Sequence, residues 1–147
     1  RDGETLNNFC RALRNGDAEN TEKYLTGYLR KTISIRDAFS RKEMKENFYH
    51  GLLIGILGLK EQWSVSSNRE TGEGYSDILI ETENPETGII IEVKYAHDGN
   101  METAARNALE QITNTRYEEE LQDEGIENIL KYGIAFYKKK CKVLLEK

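Results

Sequence analysis

The segment Ile89-Ile90-Ile91-Glu92-Val93-Lys94 constrains the fold of this chain more than any other. Side chains alternate across a strand, so Ile89, Ile91 and Val93 face one way while Ile90, Glu92 and Lys94 face the other. Two opposite charges thereby sit inside a run that is otherwise core. Ionised groups are costly to bury unless they are paired, hydrogen-bonded or bound to a metal, so a strand carrying both needs a reason. The segment before it, Gly74-Tyr75-Ser76-Asp77-Ile78-Leu79-Ile80, has a related form: a Gly-rich turn, then an acid at the head of an apolar strand.

Around this pair the rest of the chain falls into place. Leu6, Phe9, Cys10 and Leu13 have helical spacing, Gly16 supplies a stop, and Asp17 is placed to cap a second helix running to about Tyr28 or Leu29. A third helix is expected from Arg41 to Leu59, with Met44, Phe48, Leu52 and Ile56 along one stripe and Tyr49 and Leu53 widening it. Its three glycines lower helix propensity, which predicts close packing against a sheet as compensation. Trp63 to Ser67 reads as a strand and Glu70 to Gly74 as the turn that reverses it. Asn84, Pro85 and Gly88 suit a second tight turn, so the strands at Trp63, Asp77 and Ile89 form a meander. A helix is expected from Asn100 to Tyr117, with Met101, Ala105, Ala108, Leu109 and Ile112 inward and an exposed extension over Glu118 to Glu124, stopped at Gly125. Tyr132 to Tyr137 and Cys141 to Leu145 read as two closing strands. The order helix, three strands, helix, strands makes an α/β domain over residues 41–147, preceded by a helical extension over 1–40.

The 147 residues suffice for one compact domain plus that extension. With 37% hydrophobic and 32% charged residues the composition fits a soluble globular protein. The longest apolar stretch, Gly51 to Leu59, falls far short of the roughly 20 residues that span a bilayer. There is no secretory pattern, and Cys10 and Cys141 make no disulfide framework, so a cytoplasmic location is expected. Cys10, His50, His97 and Cys141 lack the paired spacing of a zinc site, and Gly72-Glu73-Gly74 is not followed by the Gly-Lys-Ser/Thr of a nucleotide-binding loop. The formal net charge of −5 counts against a simple nucleic-acid binder, which usually carries a basic footprint. That charge is uneven: Lys138, Lys139, Lys140 and Lys142 cluster near the C-terminus, while Glu118, Glu119, Glu120, Asp123 and Glu124 crowd another segment. Both runs read either as solvated faces or, for the lysines, as phosphate contacts.

An acidic residue on one strand followed by (D/E)-x-K on the next, here Asp77, Glu92 and Lys94, resembles the PD-(D/E)xK nuclease superfamily. More narrowly, Glu46-Asn47-Phe48-Tyr49-His50-Gly51-Leu52-Leu53, Ser67-Asn68-Arg69-Glu70-Thr71-Gly72-Glu73-Gly74 and Lys131-Tyr132-Gly133-Ile134-Ala135-Phe136 resemble the nuclease-like C-terminal domain of bacterial AAA-ATPase-like proteins, over roughly residues 40 to 143. Ser76 stands where the superfamily motif often has proline, and its small side chain suits the same tight lead into the strand. The resemblance implies a restriction-endonuclease-like core, and the chain starting at Arg1 fits a fragment that follows an ATPase-like N-terminal domain. Such domains include members without demonstrated activity.

Phosphodiester cleavage needs a nucleophilic water, stabilisation of charge on the phosphoryl oxygens and help for the departing alkoxide, and a hard divalent cation can supply all three. Mg²⁺ or Mn²⁺ takes oxygen ligands, one or two carboxylates sufficing beside water and a substrate phosphate. Asp77 and Glu92 are those carboxylates if the strands pair with their polar faces aligned. Lys94, on the Glu92 face, either orients or deprotonates the attacking water or stabilises phosphate charge, and the pattern leaves these open. Glu46 lies one turn before His50, in line with Leu53 and Leu57, and so borders the buried stripe. The resemblance implies that Glu46 is the additional acid supporting the metal, with Glu43 as fallback, and that the Val93 carbonyl is a third ligand. His50 reads as a packing or hydrogen-bonding histidine. Gln111 shares a face with Ala104, Ala108 and Thr115, and Gln111 to Tyr117 resembles the Q…Y motif of related nucleases, which implies that Gln111 positions Lys94 or a phosphate and that Tyr117 assists. Arg69 and Lys45 are further candidates for substrate contact.

The reading that results is a Mg²⁺- or Mn²⁺-dependent nuclease acting on DNA rather than RNA, serving as a C-terminal module of an ATPase-like protein. Two others stand beside it: an inactive nuclease-fold domain for protein interaction or nucleic-acid docking, and a module that dimerises its ATPase partner.

Overall fold

The computed structural model describes residues 2–32, 42–69, 76–113 and 117–146, with the side chains of 2, 42–44, 68, 69, 76 and 113 outside that description. Three helices lead: α1 (Asp2–Arg14), α2 (Ala18–Thr32) and α3 (Lys42–Leu57). Asp17 caps α2 as its position predicts, its Oδ1 accepting the Asn20 N–H at 3.1 Å, and Gly16 turns the chain at a φ of 73°. Strands β1 (Ser64–Arg69), β2 (Ser76–Glu81) and β3 (Thr87–Tyr95) form the antiparallel meander. Helices α4 (Met101–Thr113) and α5 (Tyr117–Asp123) then cross back so that β4 (Asn128–Tyr137) pairs parallel with β3, and β5 (Lys140–Glu146) closes the edge as a hairpin. The five strands lie in chain order in one mixed sheet.

Both sheet faces are covered, which is why β3 reads as apolar on both sides. Ile78, Ile80, Ile89, Ile91, Val93, Tyr132, Ile134 and Phe136 form one core with side chains of α1, α2 and α3. Ile90 and Leu79 meet Ile112, Tyr117, Leu121 and Ile126 of the α4–α5 layer on the other face. Gly125, at a φ of 92°, ends α5 as expected.

Several boundaries differ from the sequence reading. The helix expected from Asn100 to Tyr117 is described as α4 up to Thr113 and as α5 from Tyr117, with residues 114–116 outside the described residues. β1 starts after Trp63, whose indole N–H is committed to Glu83 Oε1 at 2.6 Å. In α3 the buried stripe runs through Glu46, Tyr49, Leu53, Ile56 and Leu57, while Phe48 and Leu52 are only partly buried. The expected tight glycine packing is absent, since Gly51 and Gly55 are exposed and a Cβ at either would meet nothing within 4 Å. The turn expected over Glu70 to Gly74 lies outside the described residues.

Candidate active site

The two central strands part company where the acids lie. The β2–β3 register runs from Glu81↔Gly88 to Ile78↔Ile91. Beyond it Asp77 and Ser76 stay paired with Asn68 and Arg69 on β1, while β3 continues to Tyr95 alongside β4. The next positions in register are Asp77 and Glu92. Alternation sets both on the face of Leu79 and Ile90, beneath α4 and α5. Asp77 is 5% exposed, Glu92 1%, and Lys94 is half-buried on the same face of β3.

The backbone of the fork points the same way. The Thr87 carbonyl accepts from Thr82 on the β2 side, whereas the Ala96 N–H donates to Phe136 on the β4 side. Strand amides alternate sides, so Val93 and Tyr95 direct their N–H and C=O groups toward the side that β2 has left. Glu46, 1% exposed, reaches in from α3 and its Oε2 accepts the Tyr95 N–H at 3.1 Å. The Val93 carbonyl opens on the same fork.

Glu92 and Glu46 each carry a buried oxygen, Oε2 and Oε1, that accepts no hydrogen bond among the described residues. An orphaned buried acceptor costs a fold about 1–3 kcal/mol, and in a native structure it calls for a missing partner. A hard divalent cation fits the donor set of Glu92, Asp77 and a backbone carbonyl, because such an ion binds through one or two carboxylates and keeps several waters. Among the described residues no three His, Cys, Asp or Glu side chains converge closely enough to form a complete metal cage, so Glu46, Asp77 and Glu92 are not a preformed triplet.

A sequence model of the PD-(D/E)XK nuclease superfamily matches residues 44–146 of this chain. The chain belongs to the PD-(D/E)XK nuclease superfamily. Comparisons with curated proteins and with solved structures give no match. The matched span runs from α3 through β5 and takes in Asp77, Glu92 and Lys94, which stand where β2 and β3 separate.

The remaining candidates scatter around this PD-(D/E)XK fork. Gln111 is exposed on α4, and Tyr117 is buried with Ile90, Ile112 and Leu121. Arg69 ends β1 opposite Ser76, its side chain outside the described residues, as is that of Glu43. Lys45 lies with its Nζ 4.8 Å from the centre of the Tyr95 ring. His50 Nε2 and Ser67 Oγ are 3.2 Å apart, which ties α3 to β1. Cys10 and Cys141 are free and buried, and burial pushes their thiols up to about 11 and about 12, so neither supplies a thiolate. Gly133 escaped the sequence reading as a site-shaping residue. It sits beside Glu92 in the β3–β4 register, and a Cβ there would fall 2.2 Å from the Ala105 carbonyl of α4. The available signal was a glycine inside the apolar strand Tyr132-Gly133-Ile134-Ala135-Phe136.

Proposed function

We propose that this PD-(D/E)XK domain is a Mg²⁺- or Mn²⁺-dependent nuclease that hydrolyses phosphodiester bonds in DNA, working in the cytoplasm as the C-terminal module of an ATPase-like protein. The observation that carries the reading is the buried, unsatisfied Glu92 Oε2 at the parting of β2 and β3, next in register to Asp77 and two residues before Lys94. Glu92 and Asp77 would hold the ion, with the Val93 carbonyl beside them and Glu46 bracing the fork through the Tyr95 N–H. When bound, the ion would polarise the scissile phosphate and lower the pKa of a water. Lys94 would orient that water or offset charge on the phosphate, and Gln111 would position Lys94 or a phosphate.

The absence of a three-carboxylate cage among the described residues, together with the net charge of −5, favours a second reading, an inactive nuclease fold that docks nucleic acid or protein. Incubating single- and double-stranded DNA and RNA with the protein and Mn²⁺ decides between them. DNA cleavage is expected with Mn²⁺, lost with EDTA and reduced at least 100-fold in Lys94→Ala, the scale of one acid–base or charge-stabilising group. Calorimetry is expected to show Mn²⁺ binding that Asp77→Ala abolishes. Intact DNA together with metal binding unchanged in Asp77→Ala would reject the nuclease in favour of the docking module.

A further inference from the structure

Tyr95, one residue past Lys94, begins a group of rings at the end of the sheet where the fork opens. Tyr49 stacks on Tyr95 at 5.8 Å and on Phe136 at 4.5 Å, while His97 stands edge-on to Tyr95 at 5.6 Å and Tyr137 is tilted toward it at 6.0 Å. Tyr49, Tyr95 and Phe136 are buried and make a rigid base. Tyr137 is half-buried and His97 exposed, so the outer rings reach solvent. Cations lie over this surface: Lys45 Nζ 4.8 Å from the Tyr95 ring centre, Lys138 Nζ 5.2 Å from that of Tyr137, with Lys139 following in the same hairpin turn and Lys140 opening β5. The turn is anchored, because the Lys138 carbonyl accepts the Tyr49 hydroxyl at 2.7 Å and Lys138 holds a φ of 55°. Gly99, at a φ of 81°, packs on the Tyr137 ring. The nearby acid Asp98 is turned onto the Asn100 N–H. Lys142 belongs elsewhere, 3.8 Å from both Glu22 and Glu102.

We propose that this edge docks a single-stranded stretch of polynucleotide, with unpaired bases stacking on Tyr137 and His97 and the backbone phosphates meeting Lys45 and Lys138–Lys140. The substrate then reaches the β2–β3 fork as a single strand or a frayed end. Its meaning as a substrate track rests on the nuclease reading, but its physical content does not. Rings interleaved with lysines bind single strands through stacking and phosphate attraction together, and a duplex conceals the base faces that such rings need. In a chain of net charge −5, attraction to phosphate has to come from a local cationic surface of this kind.

Fluorescence anisotropy in EDTA tests the docking without any cleavage, using labelled oligo(dT) of about 20 nucleotides, long enough to cover one single-strand binding site, and a hairpin duplex of similar charge. Oligo(dT) is expected to bind more tightly than the duplex. His97→Ala, at an exposed position that does not threaten the fold, and Tyr137→Ala are each expected to weaken oligo(dT) binding about tenfold while barely changing duplex binding. Lys138→Glu is expected to weaken both and to lower the salt slope by about one or more. Lys23→Glu, an equal charge change on an exposed position of α2, should alter neither. Equal affinity for the duplex, insensitivity to both ring substitutions, or an equal loss from Lys23→Glu would overturn the proposal. Single-strand binding by a protein that cuts nothing in Mn²⁺ would refute the nuclease and keep the docking edge; cleavage with patch-insensitive binding would do the reverse.

Discussion

Glu92 and Glu46 are buried carboxylates that each keep one buried oxygen, Oε2 and Oε1, with no hydrogen bond among the described residues, and they differ in what the other oxygen of Glu46 does. Glu46 satisfies the Tyr95 N–H where β2 no longer can, so it closes a backbone requirement of the sheet. Glu92 leaves Oε2 buried without a hydrogen bond, which opposes folding and suits a group kept for binding. Glu92→Leu is therefore expected to raise the thermal midpoint by about 2–8 °C, since relieving an unsatisfied buried acceptor is worth about 1–3 kcal/mol, while abolishing Mn²⁺-dependent cleavage. Glu46→Leu is expected to lower the midpoint, because it orphans an amide. Thermal melts of the two variants beside the parent check this, and a lower midpoint for Glu92→Leu would show that Glu92 is a net structural residue. The burial of Asp77 and Glu92 was legible in the sequence because alternation places their charges against an apolar background, while the roles expected of them and of Lys94 came from the resemblance. The Glu46 bond to a backbone amide was not legible, since no side-chain pattern records which amides a departing strand leaves open.

Among the elements, α4 depends on a single missing atom. Gly133 lies beside Glu92, and α4 rests on its bare backbone closely enough that a Cβ would sit 2.2 Å from the Ala105 carbonyl and 3.1 Å from Leu109. In a strand interior, replacing glycine by alanine ordinarily gains about 0.5–1 kcal/mol from reduced chain entropy. Here the sign should reverse: Gly133→Ala is expected to cost about 1–3 kcal/mol by pushing a helix backbone off the sheet, read as a lower urea midpoint with unchanged slope. A neutral or stabilised variant would mean that α4 is free to move. The apolar runs of β2 and β3 announced those strands because local alternation suffices. β4 was read as starting at Tyr132 but begins at Asn128, because its first four residues are strand through parallel pairing with Thr87 to Ile90, a long-range partnership invisible to local pattern. The α3 stripe was drawn through Met44, Phe48, Leu52 and Ile56, widened by Tyr49 and Leu53 and bordered by Glu46, and the structure centres it on the widening residues, with Glu46 inside it.

At the scale of the whole molecule, the first two helices are part of the core. Their spacing revealed an apolar face at Leu6, Phe9, Cys10 and Leu13, but periodicity shows a face without its partner, and residues 1–40 therefore read as an extension. In the structure Leu13, Leu25 and Leu29 are fully buried in the same cluster as Ile91, Tyr132 and Phe136, and the Tyr132 hydroxyl donates to the Leu13 carbonyl. Glu22 Oε1 accepts the Val143 N–H at 2.9 Å, and the Thr26 hydroxyl and Cys141 thiol are 3.4 Å apart, so α2 covers the edge strand β5. Removing these helices would bare one face of the sheet and an edge amide, an invitation to aggregation. The superfamily match begins only at residue 44, so the matched span and the folding unit need not coincide. A fragment of residues 41–147 is expected to lose the sharp unfolding transition of the full chain and to bind a hydrophobic dye, with circular dichroism and dye fluorescence as the readouts. A fragment that melts cooperatively, with a urea slope in proportion to its length, would show instead that α1 and α2 dock onto a core able to stand alone.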